Sequence, residues 1–311
     1  MVYGGAGFIG SHLVDELLTR PTTEKILIID DLRLGKLDNI KHHEGDKRVA
    51  FWKTTVQDTL TQLHGIIDTF EPNAIFNLAV DPLPKSIEYP REVWNNNIDS
   101  TWDIAQFCIH TNTRMIQFSS SEVYGTVLTG SINEHDELRP TTPYAASKAA
   151  CDHLLNSLVQ THTLNVVTIR PFNTIGPRQN AGSYAGIIPA TLKRIRQGNT
   201  PVIYGTGKQT RDFTYVTDIA SAAIVIAKHG VTGEVYNACS GKETSIEWLI
   251  EEISEAMNYK GTVKYEMARI ADVMRHQGDY TKLKHLSAWH PEVDIRSAVK
   301  RTVNWYKNEG G

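Results

Sequence analysis

The chain has 311 residues, 41% of them hydrophobic, which suffices for one large domain or two closely joined ones. Its formal charge of -3 argues against nucleic acid or an anionic membrane as a general partner, while leaving room for local arginines that hold a phosphate. Cys108, Cys151 and Cys239 are too scattered for a disulfide framework or a metal site, no apolar run approaches the ~20 residues of a membrane span, and no signal-like segment opens the chain, so a metal-free cytoplasmic protein is expected.

The opening, MVYGGAGFIGSHLVDELL, passes from a very short apolar strand through glycines into a helix. Gly4, Gly7 and Gly10 have the spacing of a dinucleotide-binding turn, where bare backbone approaches a pyrophosphate at a helix start. KILIIDD at 25–31 reads as the next strand, and its unbroken apolar run suits a parallel sheet covered on both faces. Its acidic end follows the glycines by about twenty residues, as a carboxylate serving the adenosine ribose should. Asp30 is the first choice for that role and Asp31 the second. Either acid repels the extra phosphate of NADP, which favours NAD, although Arg33 and Lys36 soften the repulsion. RVAFWKTTVQD at 48–58 is ambiguous; its Asp58 is a candidate adenine contact or a solvated loop acid.

Next come a strand at 74–80, a helix at 96–110 and a strand at 114–120. That last strand runs into SSSEVYG at 119–125, three serines and a carboxylate after an apolar run. A helix is expected at 143–159, with Thr142 as N-cap and Pro143 in its first turn. Within it, YAASK puts Tyr144 and Lys148 four residues apart on one face. A tyrosine near its usual pKa of ~10 is a poor base at neutral pH, and a lysine charge at this spacing can stabilise tyrosinate and hold a nicotinamide ribose. Ser120 is the natural third member, bonding a substrate oxygen. A strand at 165–170 closes the series, and the βα alternation predicts a doubly wound α/β fold with a parallel sheet.

Beyond residue 170 the chain turns rich in Pro, Gly and Asn before a helix at 187–198, a strand entering a helix across 213–230, a strand at 234–241, a helix at 245–257 and an amphipathic helix at 294–310. The expected organisation is an NAD-binding Rossmann domain at 1–170 that also receives about 205–230, with 171–204 and 231–311 forming a smaller, partly interleaved substrate domain.

GGAGFIG, SSSEVYG, YAASK, RPFNTIGPRQ and VIYGTGKQTRDFTYVTD, in that order and over nearly the whole chain, resemble the extended short-chain dehydrogenase/reductase family, specifically its nucleotide-sugar epimerases, dehydratases and decarboxylases. The resemblance implies tightly held NAD regenerated each cycle, a nucleotide-diphosphate hexose, and oxidation at sugar C4 with Tyr144 withdrawing the O4 proton. It places cofactor contacts at Gly4, Gly7, Phe8, Ile9, Asp30, Asp31, Asp58, Leu78, Ala79, Asn97, Tyr144 and Lys148. Substrate contacts fall at Ser86, Ser120, Asn173, Arg178, Arg211 and Arg275, the last two as opposing phosphate clamps suited to a planar guanidinium. It also implies a homodimer through helices 96–110 and 143–159. Two details depart from the pattern: the usual His-Leu-Ala-Ala reads NLAV before Asp81, and Tyr3 stands where a small hydroxyl is common.

Glu122 separates the family's reactions. Inverting C4 needs no additional base, whereas a 4,6-dehydratase must remove the C5 proton as the C6 hydroxyl leaves. Ser121-Glu122 is similar to the GDP-mannose 4,6-dehydratase branch, in which Glu122, Ser121 or a water must protonate the leaving group. The reading from sequence is therefore a 4,6-dehydratase giving a 4-keto-6-deoxy sugar, with catalytic Ser120, Ser121, Glu122, Tyr144 and Lys148. If Glu122 is only a strand-end cap, a 4-epimerase is the alternative. A UDP-glucuronate decarboxylase ranks below both, and outside enzymes stands an NAD-binding regulatory protein.

Overall fold

The computed structural model describes residues 1–62, 70–127, 130–182, 184–269 and 273–308. Inside its large sheet β1 (Val2–Tyr3) pairs with β2 (Ile26–Asp30) on one side and β4 (Ala74–Asn77) on the other. β3 (Val49–Lys53) flanks β2, while β5 (Arg114–Phe118), β6 (Val166–Pro171) and β10 (Val235–Ala238) continue beyond β4. The sheet order is β10-β6-β5-β4-β1-β2-β3, and every pairing is parallel.

Burial on both faces explains why these strands read as continuous apolar runs rather than alternating ones. On one face Val2, Ile28, Phe76 and Ile116 meet Leu13 and Val14 of α1 (Phe8–Leu18) and Ile219, Ala223 and Ile226 of α7 (Val216–His229). On the other, Tyr3, Ile29, Ile75 and Met115 meet Ile104 and Cys108 of α4 (Pro90–Thr111) and Leu155 of α5 (Pro143–His162). Each isoleucine or leucine side chain so buried contributes about 1.5–3 kcal/mol. Two shorter helices, α2 (Val56–Gln62) and α3 (Leu83–Glu88), follow β3 and β4.

Smaller elements form the second core. β11 (Glu243–Ser245), β9 (Thr210–Tyr215) and β7 (Asn173–Ile175) make a mixed three-stranded sheet, and β12 (Lys264–Glu266) pairs with β8 (Val202–Tyr204). α6 (Ile187–Arg196), α8 (Ile246–Ala256) and α10 (Ile295–Asn308) close around Ile188, Leu192, Phe213, Leu249 and Val299.

Four expectations change. Strand 235–238, assigned from sequence to the substrate part, is the edge strand of the large sheet, with Val235 opposite Thr168. Conversely, 210–215 belongs to the three-stranded sheet, so within 205–230 only α7 packs on the large one. α9 (Thr281–Ser287) also returns to that core, through Leu283. α4 begins six residues before the expected 96, because Pro90 can open a helix whose first amide needs no partner. Residues 309–310 of the expected last helix lie outside the described residues. Among the described residues no helix is long and apolar enough to cross a membrane.

Candidate active site

A cavity of about 480 Å³ opens at the carboxyl ends of the parallel strands, where β1 separates β2 from β4 and the order of connection reverses. Gly4, Gly7, Phe8 and Ile9 line it from the turn between β1 and α1. Gly4 has φ 72, and a Cβ there would lie 2.9 Å from the Leu78 carbonyl. At Gly10 a Cβ would lie 2.1 Å from the Gly4 oxygen, so the turn can be this tight only without side chains. α1 starts at Gly7 with no side-chain cap and no acid in its first turn, leaving amides that suit an anion.

Asp30 is fixed by the same turn: its two oxygens accept from Ala6 N at 3.0 Å and Leu32 N at 2.9 Å. Burial raises its pKa, opposed by those two amides. Asp31 turns aside to Arg33, 2.6 Å away, and Arg33 also lies 3.6 Å from Asp81, a buried acid held by Lys85 at 3.0 Å and Asn96 at 2.6 Å. Asp31, Arg33 and Asp81 therefore bridge the ends of β2 and β4 along the cavity wall. Asn97 accepts from Asp81 N at 2.9 Å and donates to the Ser147 hydroxyl at 3.0 Å, fixing α4 against α5 beside the cavity.

The serine run after β5 has a separate task for each residue. Ser119 donates to Asp152 at 3.0 Å, inside a buried network with Arg170. Ser120 accepts from Glu122 N at 3.2 Å, capping the 3-10 turn Ser121–Tyr124, and its hydroxyl lies close enough to Tyr144 to favour the phenolate. Ser121 is buried, and its carbonyl lies 3.1 Å from Nε2 of His276. Glu122 faces the cavity together with Ser120, Ser121, Tyr144 and Lys148.

Tyr144 rides on the first turn of α5, which Thr142 caps by accepting from Ala145 N at 3.2 Å. Burial pushes the Tyr144 hydroxyl up to about 12; the Ser120 hydroxyl opposes this and the Glu122 charge adds to it. Lys148 donates to the Phe118 carbonyl at 2.8 Å, and burial lowers its pKa against the pull of Cys151 and Asp152.

From the second core, Asn173 and Arg178 reach the cavity. Asn173 Oδ1 is buried without a partner, and Arg178 pairs with Asp15 at 2.7 Å. Leu78 and Ala79 line the wall after β4.

Four expected contacts are not among the lining residues. Asp58 closes a reciprocal cap on α2, taking a bond from the Thr55 hydroxyl at 2.8 Å while its own amide donates back at 3.0 Å; Thr54, Thr55, Val56 and Gln57 line the wall there instead. Ser86 is fully buried and donates to the Leu83 carbonyl at 2.7 Å. Arg211 donates to the Thr210 and Val273 carbonyls. Arg275 pairs with Glu243 at 2.9 Å, and neither arginine lines the cavity. Sequence reasoning missed Tyr184, Gln179 and the bridging roles of Arg33 and Asp81. The signal for Asp81 was its place just after a parallel strand's carboxyl end.

A turn shaped for close backbone approach, an uncapped helix start, a ribose-type acid and a Ser-Tyr-Lys group share one cavity. The family model described as GDP-mannose 4,6 dehydratase matches residues 1–302. The chain belongs to this nucleotide-sugar epimerase and dehydratase family of extended short-chain dehydrogenases. A UDP-N-acetylglucosamine 4-epimerase from Methanobrevibacter ruminantium, solved with UDP-N-acetylmuramic acid, is 35% identical at a TM-score of 0.90, covering 99% of this chain and 97% of that one. A UDP-glucose 4-epimerase of Mycolicibacterium smegmatis is 30% identical over 99% of this chain and 98% of its own length. The dTDP-glucose 4,6-dehydratase of Bacillus anthracis, solved with NAD, is 30% identical at a TM-score of 0.90, over 99% of this chain and 96% of that one. This family member is thus an enzyme of the dehydratase/epimerase group.

Proposed function

We propose that this enzyme is an NAD-dependent nucleotide-sugar 4,6-dehydratase. The observation that carries the reading is Glu122, a carboxylate in the same cavity as Ser120, Tyr144 and Lys148, close enough to raise the proton affinity of Tyr144. Its backbone amide is capped by Ser120, so the side chain is not needed as the cap of its own turn.

The Gly4–Ile9 turn would hold the pyrophosphate of NAD, Asp30 its adenosine ribose and Lys148 its nicotinamide ribose; when bound, NAD would supply a reversible hydride acceptor. Ser120 holds the sugar O4, and Tyr144 removes its proton, which requires a cation beside the phenol to offset the burial that raises it. Once C4 is a ketone, the C5 proton is acidic. Glu122 takes that proton and gives it to the departing C6 oxygen, so water leaves and a 5,6-double bond conjugated with the C4 ketone remains; return of the hydride to C6 and a solvent-derived proton to C5 then gives the 4-keto-6-deoxy sugar. Asn173 and Arg178 approach the diphosphate end.

A 4-epimerase is the second reading, favoured by Ser121: no carboxylic acid stands at that position to protonate a leaving hydroxyl. The deciding experiment incubates the enzyme with UDP-, GDP-, dTDP- and CDP-hexoses in heavy water and weighs the products. Loss of one water with deuterium at C5 supports dehydration and identifies the donor. An unchanged formula, inverted C4 and no solvent deuterium would overturn it in favour of epimerisation. The reading includes a homodimer through α4 and α5, supported by Trp94 and Trp102 of α4, which stand 42% and 44% exposed.

A further inference from the structure

Behind the cofactor cradle, three separate stretches of chain converge on one carboxylate. α1 supplies Asp15, the short 3-10 turn Lys41–His43 supplies His42 and His43, and the loop after β7 supplies Arg178. Nε2 of His42 and Nε2 of His43 each lie 2.7 Å from the same oxygen of Asp15, and the two ring centroids are 4.0 Å apart. Arg178 holds the other oxygen at 2.7 Å. The two imidazole nitrogens and a carboxylate oxygen all lie within 4.8 Å of one another. One imidazole would be enough to pin the turn to α1, yet successive side chains of a turn, which ordinarily diverge, both reach this oxygen.

We propose that Asp15, His42 and His43 form a binding site for one divalent transition-metal cation of the zinc class. The donor set decides the class: two imidazoles and a carboxylate suit Zn²⁺ and its neighbours, whereas Mg²⁺ and Ca²⁺ demand oxygens. Binding moves the imidazole proton from Nε2 to Nδ1 in each ring, and small side-chain adjustments bring the donors to the usual ~2.0–2.2 Å. Arg178 then acts as an outer partner, orienting the ligating carboxylate through its second oxygen. His12 packs behind the site, its Nε2 3.1 Å from the Pro177 carbonyl and its Nδ1 3.9 Å from Asp15. A cation here ties α1, the 41–43 turn and the 177–178 loop together, so it stabilises the fold by binding only the native arrangement.

The test uses the full chain, stripped with a chelator and titrated with ZnCl₂ by calorimetry, with MgCl₂ as the control. The expected result is one saturable equivalent of Zn²⁺ with a higher melting temperature, and no such change with Mg²⁺. The double substitution His42→Gln with His43→Gln should abolish that equivalent while leaving the zinc-free melting curve cooperative. His42→Gln alone, at a half-exposed position that tolerates replacement, should weaken binding at least about tenfold. Wild type without a saturable equivalent, or uptake unchanged in the single and double variants, would overturn the site and assign any binding to other surface histidines.

Discussion

Tyr144 keeps its proton across the neutral range, since burial and the Glu122 charge together hold it at about 12. A base must first be ionised, so turnover is expected to rise with pH from 6 to 9, and a flat profile of kcat would argue against tyrosinate as the base. The same shift has a sign in folding. The folded pKa exceeds the unfolded value of ~10, so its contribution is fully present below that pH and is lost as pH rises through about 12. Glu122→Gln should lower dehydration roughly 10²–10⁴-fold. It should leave C4 oxidation intact, so reduced nicotinamide builds up on adding substrate; wild-type product formation would remove Glu122 from the chemistry. Ser120, Tyr144, Lys148 and Asp30 were legible in the sequence because each is placed by a regular element whose ends the chain itself marks. The contacts that Arg211 and Arg275 make in the folded chain were not, because a long side chain goes where remote partners take it, here the Val273 carbonyl and Glu243. Asp58 is a different case: Thr55 three residues earlier already spelled out a helix cap.

Among the elements, α4 has the most to reveal about assembly. Its inner side packs Ile104 and Cys108 on the sheet, yet Trp94 and Trp102 remain exposed on its outer side, an expensive way to end a helix face unless something covers them. Trp102→Glu is expected to convert a dimer to a monomer by light scattering at micromolar protein without lowering the monomer's helicity. An unaltered dimer would put the interface elsewhere. Strand and helix identities were readable from period and punctuation, as in the unbroken ILIID of β2 and the Thr142-Pro143 start of α5. The sheet to which a strand belongs was not. VYNA of β10 could have paired with either core, and only its register against β6, far back in the chain, decides.

At the scale of the molecule, the two cores cannot be divided by a single cut. The chain leaves the large sheet after β6, returns for α7 and β10, leaves again for β11, α8 and β12, and returns once more for α9. Scanning calorimetry of the full chain should therefore show one transition, whereas a fragment ending at Arg170 should give no cooperative melt. Two separated transitions, or a cooperative fragment, would mean that the cores fold independently. The late arrival of β10 also bears on synthesis. While the chain is still being made, β6 has an open edge of unpaired amides and carbonyls, and it keeps that edge until residue 238 has emerged from the ribosome. A nascent chain of this enzyme is thus exposed to strand-to-strand capture by its neighbours while the stretch between β6 and β10 is being made. Slowing elongation between β6 and β10 should lengthen that exposure and lower the soluble yield, without any change in the finished protein.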